Sequence, residues 1–141
     1  NLALCTHPDF EYIKIKDELS GKIYILLEKC LNILYKDPKK ARFIIMEKLL
    51  GRDMKGWEYT PLFDYFVPKF KDKGFIVVND TYVTDDSGTG IVHQAPAFGE
   101  DDYRVCIANN IISEDGYLPC PVDEQGRFTN EVPDFAGIHV K

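Results

Sequence analysis

The residues best suited to do chemistry lie in one run, Asp85-Asp86-Ser87-Gly88-Thr89-Gly90-Ile91-Val92-His93-Gln94-Ala95-Pro96-Ala97-Phe98-Gly99-Glu100-Asp101-Asp102-Tyr103. It holds two glycine-marked turns, a histidine on a strand and an acidic triplet. Gly99 frees the chain for a sharp strand-to-helix turn, which places Glu100, Asp101 and Asp102 in the first turn of a helix. Exposed carboxylates there gain about 0.3–1 kcal/mol each from the helix dipole. One reading stops at that point: the triplet caps a helix, and His93 is an ordinary strand histidine. The other reading gives the carboxylates a ligand. A carboxylate at a strand–helix junction beside a histidine suits a ligand ammonium, held by charge-assisted hydrogen bonds. A metal held by His93 and the triplet is a third arrangement. On the residues alone all three stay open.

Other chemistries are excluded by spacing. The glycines form neither a Gly-x-x-x-x-Gly-Lys loop nor a Gly-x-Gly-x-x-Gly turn opening a helix, so no phosphate loop is encoded. With Gly90 as the sixth residue of a calcium loop, Pro96 falls where the twelfth-position glutamate is required. Ser87 lacks the Gly-x-Ser-x-Gly frame of a nucleophile elbow. Cys5, Cys30, Cys106 and Cys120 include no Cys-x-x-Cys pair, which argues against a zinc ribbon or a thioredoxin-type site. Reduced thiols are expected, with Cys30 and Cys106 behaving as small hydrophobes.

The elements that must carry these residues are readable by period. Phe10 to Lys16 alternates with period two and Lys22 to Leu26 resumes after Ser20-Gly21, which predicts a hairpin. Leu27, Cys30, Leu31 and Leu34 fall at helical spacing, predicting a short helix that stops near Asp37-Pro38. Strands are expected over 41–50, over 56–63, over 75–84 and over 90–94. A helix is expected from Glu100 to about Asn110, with Tyr103, Cys106 and Ile107 on one face. Turns are marked at Asp115-Gly116 and Gln125-Gly126, and Phe135 to Lys141 alternates like a strand. Strands outnumber helices about three to one in this reading, so the expected fold is mixed α/β, β-dominated and barrel-like. Trp57, Tyr59, Phe63 and Phe66 read as core aromatics before base-stacking ones, and Lys69, Lys71 and Lys73 form a small basic patch that reads as solvated loop before a nucleic-acid contact.

The 141 residues fit one domain, 1–141, with 45% hydrophobic residues arguing against disorder. The longest unbroken apolar run, Ile23 to Leu27, is far short of a membrane span. A net charge of −6 argues against a free-standing binder of DNA or RNA. Both ends are apolar, Asn1-Leu2-Ala3-Leu4 and Phe135-Ala136-Gly137-Ile138-His139-Val140, which predicts a domain excised from a longer chain, a processed small protein with tied-down termini being the alternative.

The Gly88 to Tyr103 run resembles the signature of the editing (CP1) domain inserted into class I isoleucyl-tRNA synthetases. The opening Asn1-Leu2-Ala3-Leu4, the stretch Thr60-Pro61-Leu62-Phe63-Asp64-Tyr65-Phe66 and the closing Phe135 to Val140 are also similar to that family. Thr60 to Phe66 and Phe98 look most like its eukaryotic cytosolic branch. The resemblance implies a barrel-like editing domain that hydrolyses Val-tRNA(Ile) after transfer and excludes isoleucine. It implies that Asp102 anchors the α-ammonium and that His93 borders the side-chain pocket. Gly88, Thr89 and Gly90 would line the cleft for the terminal adenosine, with Asn1, Ala95, Pro96 and Asp101 as further substrate-binding residues.

A positioned water would attack the ester, with no protein nucleophile, metal or cofactor in this domain; ATP and Mg belong to the full-length synthetase. The implied partners are the aminoacylated 3′ end of tRNA(Ile) and the rest of the synthetase, in the cytoplasm, with no membrane or DNA. The net charge fits if only the flexible terminal adenosine enters. The family's threonine-rich strand would lie just upstream of Asn1, so residues 1–141 alone are expected to fold but to deacylate poorly. A non-catalytic ligand-binding or structural insert of a synthetase is the alternative.

Overall fold

A computed structural model describes residues 1–141. Its strands are β1 (Ala3–Thr6), β2 (Glu11–Asp17), β3 (Ile23–Leu27), β4 (Phe43–Leu50), β5 (Ile76–Asn79) and β6 (Ile91–Gln94). Its α-helices are α1 (Leu31–Leu34), α2 (Gly51–Met54), α3 (Val67–Phe70) and α4 (Glu100–Ala108). No helix is long and apolar enough to cross a membrane. The chain divides into two compact units. A sheet unit comprises Ala3–Glu58 and Ile76–His93; a loop-and-helix unit comprises Asn1–Leu2, Tyr59–Phe75 and Gln94–Lys141.

In the sheet unit the predicted hairpin forms as β2 and β3, paired antiparallel from Tyr12↔Leu27 to Lys16↔Ile23. Asp17 locks its turn by accepting from the Ser20 hydroxyl at 2.6 Å and the Ser20 backbone N–H at 2.8 Å. β4 joins the other edge of β2. Lys14 faces Glu47 and Ile15 faces Ile45, so Met46 is an extra residue that bulges the strand. The second sheet has the order β5-β1-β6, with β1 and β5 parallel. β1 shows no alternation because it is covered on both faces, as parallel strands usually are. The core of this unit gathers Tyr12, Ile13, Ile15, Leu26, Leu27, Cys30, Leu31, Leu49, Met54 and Val77.

The mixed, sheet-dominated class stands, but the two sheets remain open rather than closing into a barrel. Six strands against four short α-helices also lower the expected three-to-one ratio. No strand forms over 56–63; Glu58 makes only an isolated bridge with Ile76, and Pro61 cannot donate to a ladder. Trp57 and Phe63 are exposed there rather than core, at 44% and 61%. The strand expected over 75–84 shrinks to Ile76–Asn79, because Phe75 bends the chain at φ 60° and the path leaves the sheet at Asp80. The helix expected from Leu27 splits into a 3-10 turn, Glu28–Cys30, and the single turn of α1. The closing segment makes a 3-10 turn at Pro133–Phe135 and an isolated bridge, Arg127↔His139, instead of a strand.

All four cysteines are free, with Cys5, Cys30 and Cys106 buried and Cys120 exposed. Burial, reinforced by the Asp102 carboxylate, pushes the Cys106 thiol up to about 12. Burial likewise pushes the Tyr12 hydroxyl up to about 12. Both groups keep their protons in the folded chain at pH values where the unfolded chain has lost them. Their contribution is therefore complete below about pH 9 and declines as pH rises towards 12, so stability falls on the alkaline side. Urea midpoints measured from pH 7 to 11 should drop, and a thiol reagent at neutral pH should label Cys120 alone until the protein is denatured.

Candidate functional site

In the loop-and-helix unit, the backbone leaves β6 at Gln94 and turns through Ala95 to Gly99 into α4. Gly99 is the N-cap in an extended conformation, so Glu100, Asp101 and Asp102 fill the first turn as expected. Asp102 folds back over this turn. Its Oδ2 accepts the Ala95 backbone N–H at 2.9 Å, while Oδ1 takes no hydrogen bond from the chain. A Cβ built on Gly99 would lie 2.8 Å from the Asp102 carboxyl carbon, so only glycine leaves the carboxylate its place. Asp101 behaves differently: it is exposed and forms an ion pair with Arg104 at 3.3 Å.

Beside this turn lies a small cleft of about 90 Å³ lined by Asn1, Leu2, Phe66, Ala95, Pro96, Phe98, Pro119 and Pro121. The structure thus brings three predicted binding residues, Asn1, Ala95 and Pro96, to one depression, and ties Asp102 to one of them. Asn1 is oriented by Tyr59, whose hydroxyl donates to Asn1 Oδ1 at 2.7 Å. Burial holds that Tyr59 hydroxyl well above its ordinary range, so it remains a donor at any physiological pH. The Leu2 N–H donates to the Gln94 carbonyl at 2.8 Å and the Phe75 N–H to the Leu2 carbonyl at 2.7 Å, fixing the segment that carries Asn1. Phe66, Phe98, Pro119 and Pro121 were missed as cleft walls. Phe66 has the type and spacing of a core aromatic, and the Pro119-Cys120-Pro121 run carries no chemical signal except its rigidity.

In the sheet unit, Gly88 and Gly90 adopt φ values of 63° and 83°, which glycine alone tolerates readily. Their turn is held from several sides. The Leu27 N–H donates to the Thr89 carbonyl at 3.0 Å, and the buried Tyr12 hydroxyl donates to the Gly90 carbonyl at 2.5 Å. Lys29 Nζ reaches Asp85 at 2.6 Å, an exposed pair that holds the Asp85 carboxyl below its usual range. His93 is exposed on β6. No three histidine, cysteine or carboxylate side chains gather closely enough to hold a metal ion.

No family model matches the chain. Among curated proteins, all 141 residues align with the cytoplasmic isoleucine–tRNA ligase of Saccharomyces cerevisiae at 53% identity, spanning 13% of that protein. The corresponding mouse protein is 50% identical over 141 residues, 11% of its length. The isoleucine–tRNA ligase of Chlamydia pneumoniae is 37% identical over the whole chain, 13% of its length. A solved structure described as GlLeuRS-CP1 superposes with a TM-score of 0.59 over 86% of this chain and 49% of that one. At 18% identity, that likeness concerns the fold.

Proposed function

We infer that this chain, homologous along its whole length to one segment of isoleucine–tRNA ligases and folded like a CP1 domain, hydrolyses the ester of valine mischarged onto tRNA(Ile) in the cytoplasm. The observation that carries this reading is Asp102: one oxygen pinned to Ala95, which lines a small cleft, the other without a bond from the chain. A carboxylate with a spare oxygen at a helix start is chemically suited to an α-ammonium.

The need for such a site is energetic. One methylene in an apolar pocket is worth about 1–3 kcal/mol, and isoleucine against valine is the usual illustration of that limit. A second site that admits only the smaller residue removes the error. In the proposed reaction a water molecule adds to the ester carbonyl and the bond from carbonyl carbon to ribose oxygen breaks. Valine leaves as the acid, and the proton from water restores the ribose hydroxyl. Asp102 holds the ammonium, and His93 crowds the place that the extra methyl of isoleucine would need. The Gly88-Thr89-Gly90 turn lines the place of the terminal adenosine, and Asn1, Ala95, Pro96 and Asp101 are further substrate-binding residues. No residue of this domain acts as nucleophile, and ATP and Mg serve the remainder of the synthetase.

The full-length synthetase should release valine from Val-tRNA(Ile) and leave Ile-tRNA(Ile) intact. With His93→Ala, Ile-tRNA(Ile) should become hydrolysable at a rate about 10- to 200-fold below the valyl ester at most, the discrimination one methylene supplies. Continued protection of Ile-tRNA(Ile) in that variant rejects His93 as the size gate. A second reading is favoured by the same Asp102–Ala95 bond: a non-catalytic insert in which the carboxylate only braces its turn.

A further inference from the structure

A second depression lies in the loop-and-helix unit, an open groove of about 500 Å³. One wall is the segment Pro68 to Lys73 and the other is Ile111, Ile112, Ser113, Gly116 and Tyr117. Lys69, Lys71 and Lys73 all line it. Lys69 is partly committed, its ammonium 4.4 Å from the Tyr117 ring centroid and 3.5 Å from Glu131. Lys71 and Lys73 make no ion pair within the chain. Asp72 is the acidic member of the lining. The floor is firm, since Phe70 stacks on Tyr117 with ring centroids 6.2 Å apart and Ile111 and Ile112 are buried.

Two stretches of chain pass from the groove to the small cleft, which Asn1, Leu2, Ala95, Pro96 and Phe98 complete. Phe66 lines the cleft and Pro68 the groove; on the opposite side Pro119 lines the cleft and Tyr117 the groove. Two residues span at most about 7 Å of chain, so the depressions adjoin on both sides. An occupant that ends in the cleft and continues outward meets three lysines as it leaves. In a chain of net charge −6, such a local cationic lining selects for a polyanion.

We propose that this groove carries the phosphodiester backbone of the single-stranded nucleotides preceding the terminal adenosine of the tRNA, with Lys71 and Lys73 as its phosphate contacts. The assignment rests on the editing reading of the cleft and extends its partner from one nucleoside to a strand. Two lysine–phosphate contacts on single-stranded RNA release counterions, so binding should weaken with salt by about 0.7 per contact on logarithmic axes.

The test uses the full-length synthetase with Lys71→Ala/Lys73→Ala, and with Lys71→Arg/Lys73→Arg as the charge-retaining control. Deacylation of Val-tRNA(Ile) should show a KM raised about 5- to 20-fold with kcat within twofold, and the salt slope should fall by about 1.4. The arginine variant should behave like the parent. Hydrolysis of 3′-valyl-adenosine, which has no upstream phosphate, should be unchanged in every variant. Binding of a fluorescent minihelix ending in the tRNA(Ile) acceptor strand should weaken in parallel, a readout that needs no hydrolysis. Unchanged KM, minihelix affinity and salt slope in the alanine variant overturn the groove assignment, as does an acidic peptide binding there while RNA does not. Failure of the parent enzyme to deacylate either ester overturns the editing reading instead, and minihelix binding then decides the groove by itself.

Discussion

Asp102→Asn in the full-length synthetase should lose about 10- to 100-fold in deacylation of Val-tRNA(Ile) while melting at the parent temperature. The amide oxygen of asparagine can still accept the Ala95 N–H that Asp102 Oδ2 accepts at 2.9 Å, so the turn keeps its brace. What it cannot supply is the negative charge opposite an ammonium. Hydrogen bonds to charged groups are worth about 1.5–3 kcal/mol, which sets the size of the expected loss. Asp102→Ala should lose the activity and also some stability, because it leaves the Ala95 N–H without its partner. The pair separates the two readings of the carboxylate. A fully active Asp102→Asn enzyme beside a weakened Asp102→Ala enzyme would mean that Asp102 is a brace and nothing more.

Gly90→Ala is expected to cost the most stability at the candidate site, about 2–5 kcal/mol. Two independent penalties meet at this residue. Its φ of 83° costs an L side chain about 1–2 kcal/mol. An added Cβ would also lie 2.4 Å from the Leu27 side chain and 3.3 Å from the Tyr12 ring, overpacking a core where such insertions cost about 1–3 kcal/mol. Urea unfolding of the chain should show the midpoint shifted accordingly. Gly88→Ala is the internal comparison: its φ is 63°, but open space surrounds its Cβ position, so it should pay the backbone cost alone. Equal losses for the two variants would show that Leu27 and Tyr12 give way and that the packing term is absent.

The parts of the fold that sequence reasoning reached are those whose signals are local. The β2–β3 hairpin announces itself by alternation on either side of Ser20-Gly21, and α4 by Gly99 followed by three acids. The left-handed glycines at 88 and 126 likewise fall where turns were expected, whereas Gly90, expected to open a strand, is left-handed and the strand starts at Ile91. β1 was not reached, because a parallel strand buried on both faces loses the period-two pattern that betrays a strand. The division into two units was equally hidden: each is assembled from segments far apart in sequence, and no composition change marks where the chain passes from one to the other.

The candidate site divides along the same line. Asp102 and Gly99 belong to one short run, so their partnership lay within reach of spacing arguments. Phe66, Pro119 and Pro121 converge on the cleft from two distant segments, and nothing in their types distinguishes a cleft wall from a core filler. Trp57 and Phe63 show the converse: aromatic residues at strand-like spacing have the pattern of a core yet are exposed. That stretch is held by one bridge, Glu58↔Ile76, and the few backbone bonds around it rather than by a strand, and the Trp57 and Phe63 side chains are left exposed.

The interlock between Gly99 and Asp102 also limits how this sequence can drift. The carboxylate fills the space that any side chain at position 99 would need, so the glycine is held in place by a residue three positions on. Replacing Gly99 first would push the carboxylate off the Ala95 N–H, whereas replacing Asp102 first would remove the reason for the glycine. A lineage can therefore lose the acid and afterwards relax the glycine, but the reverse order passes through a crowded intermediate. Descendants that have abandoned the site should be recognisable by a substituted 102 beside either residue at 99, and a substituted 99 beside an intact aspartate should be the rare combination.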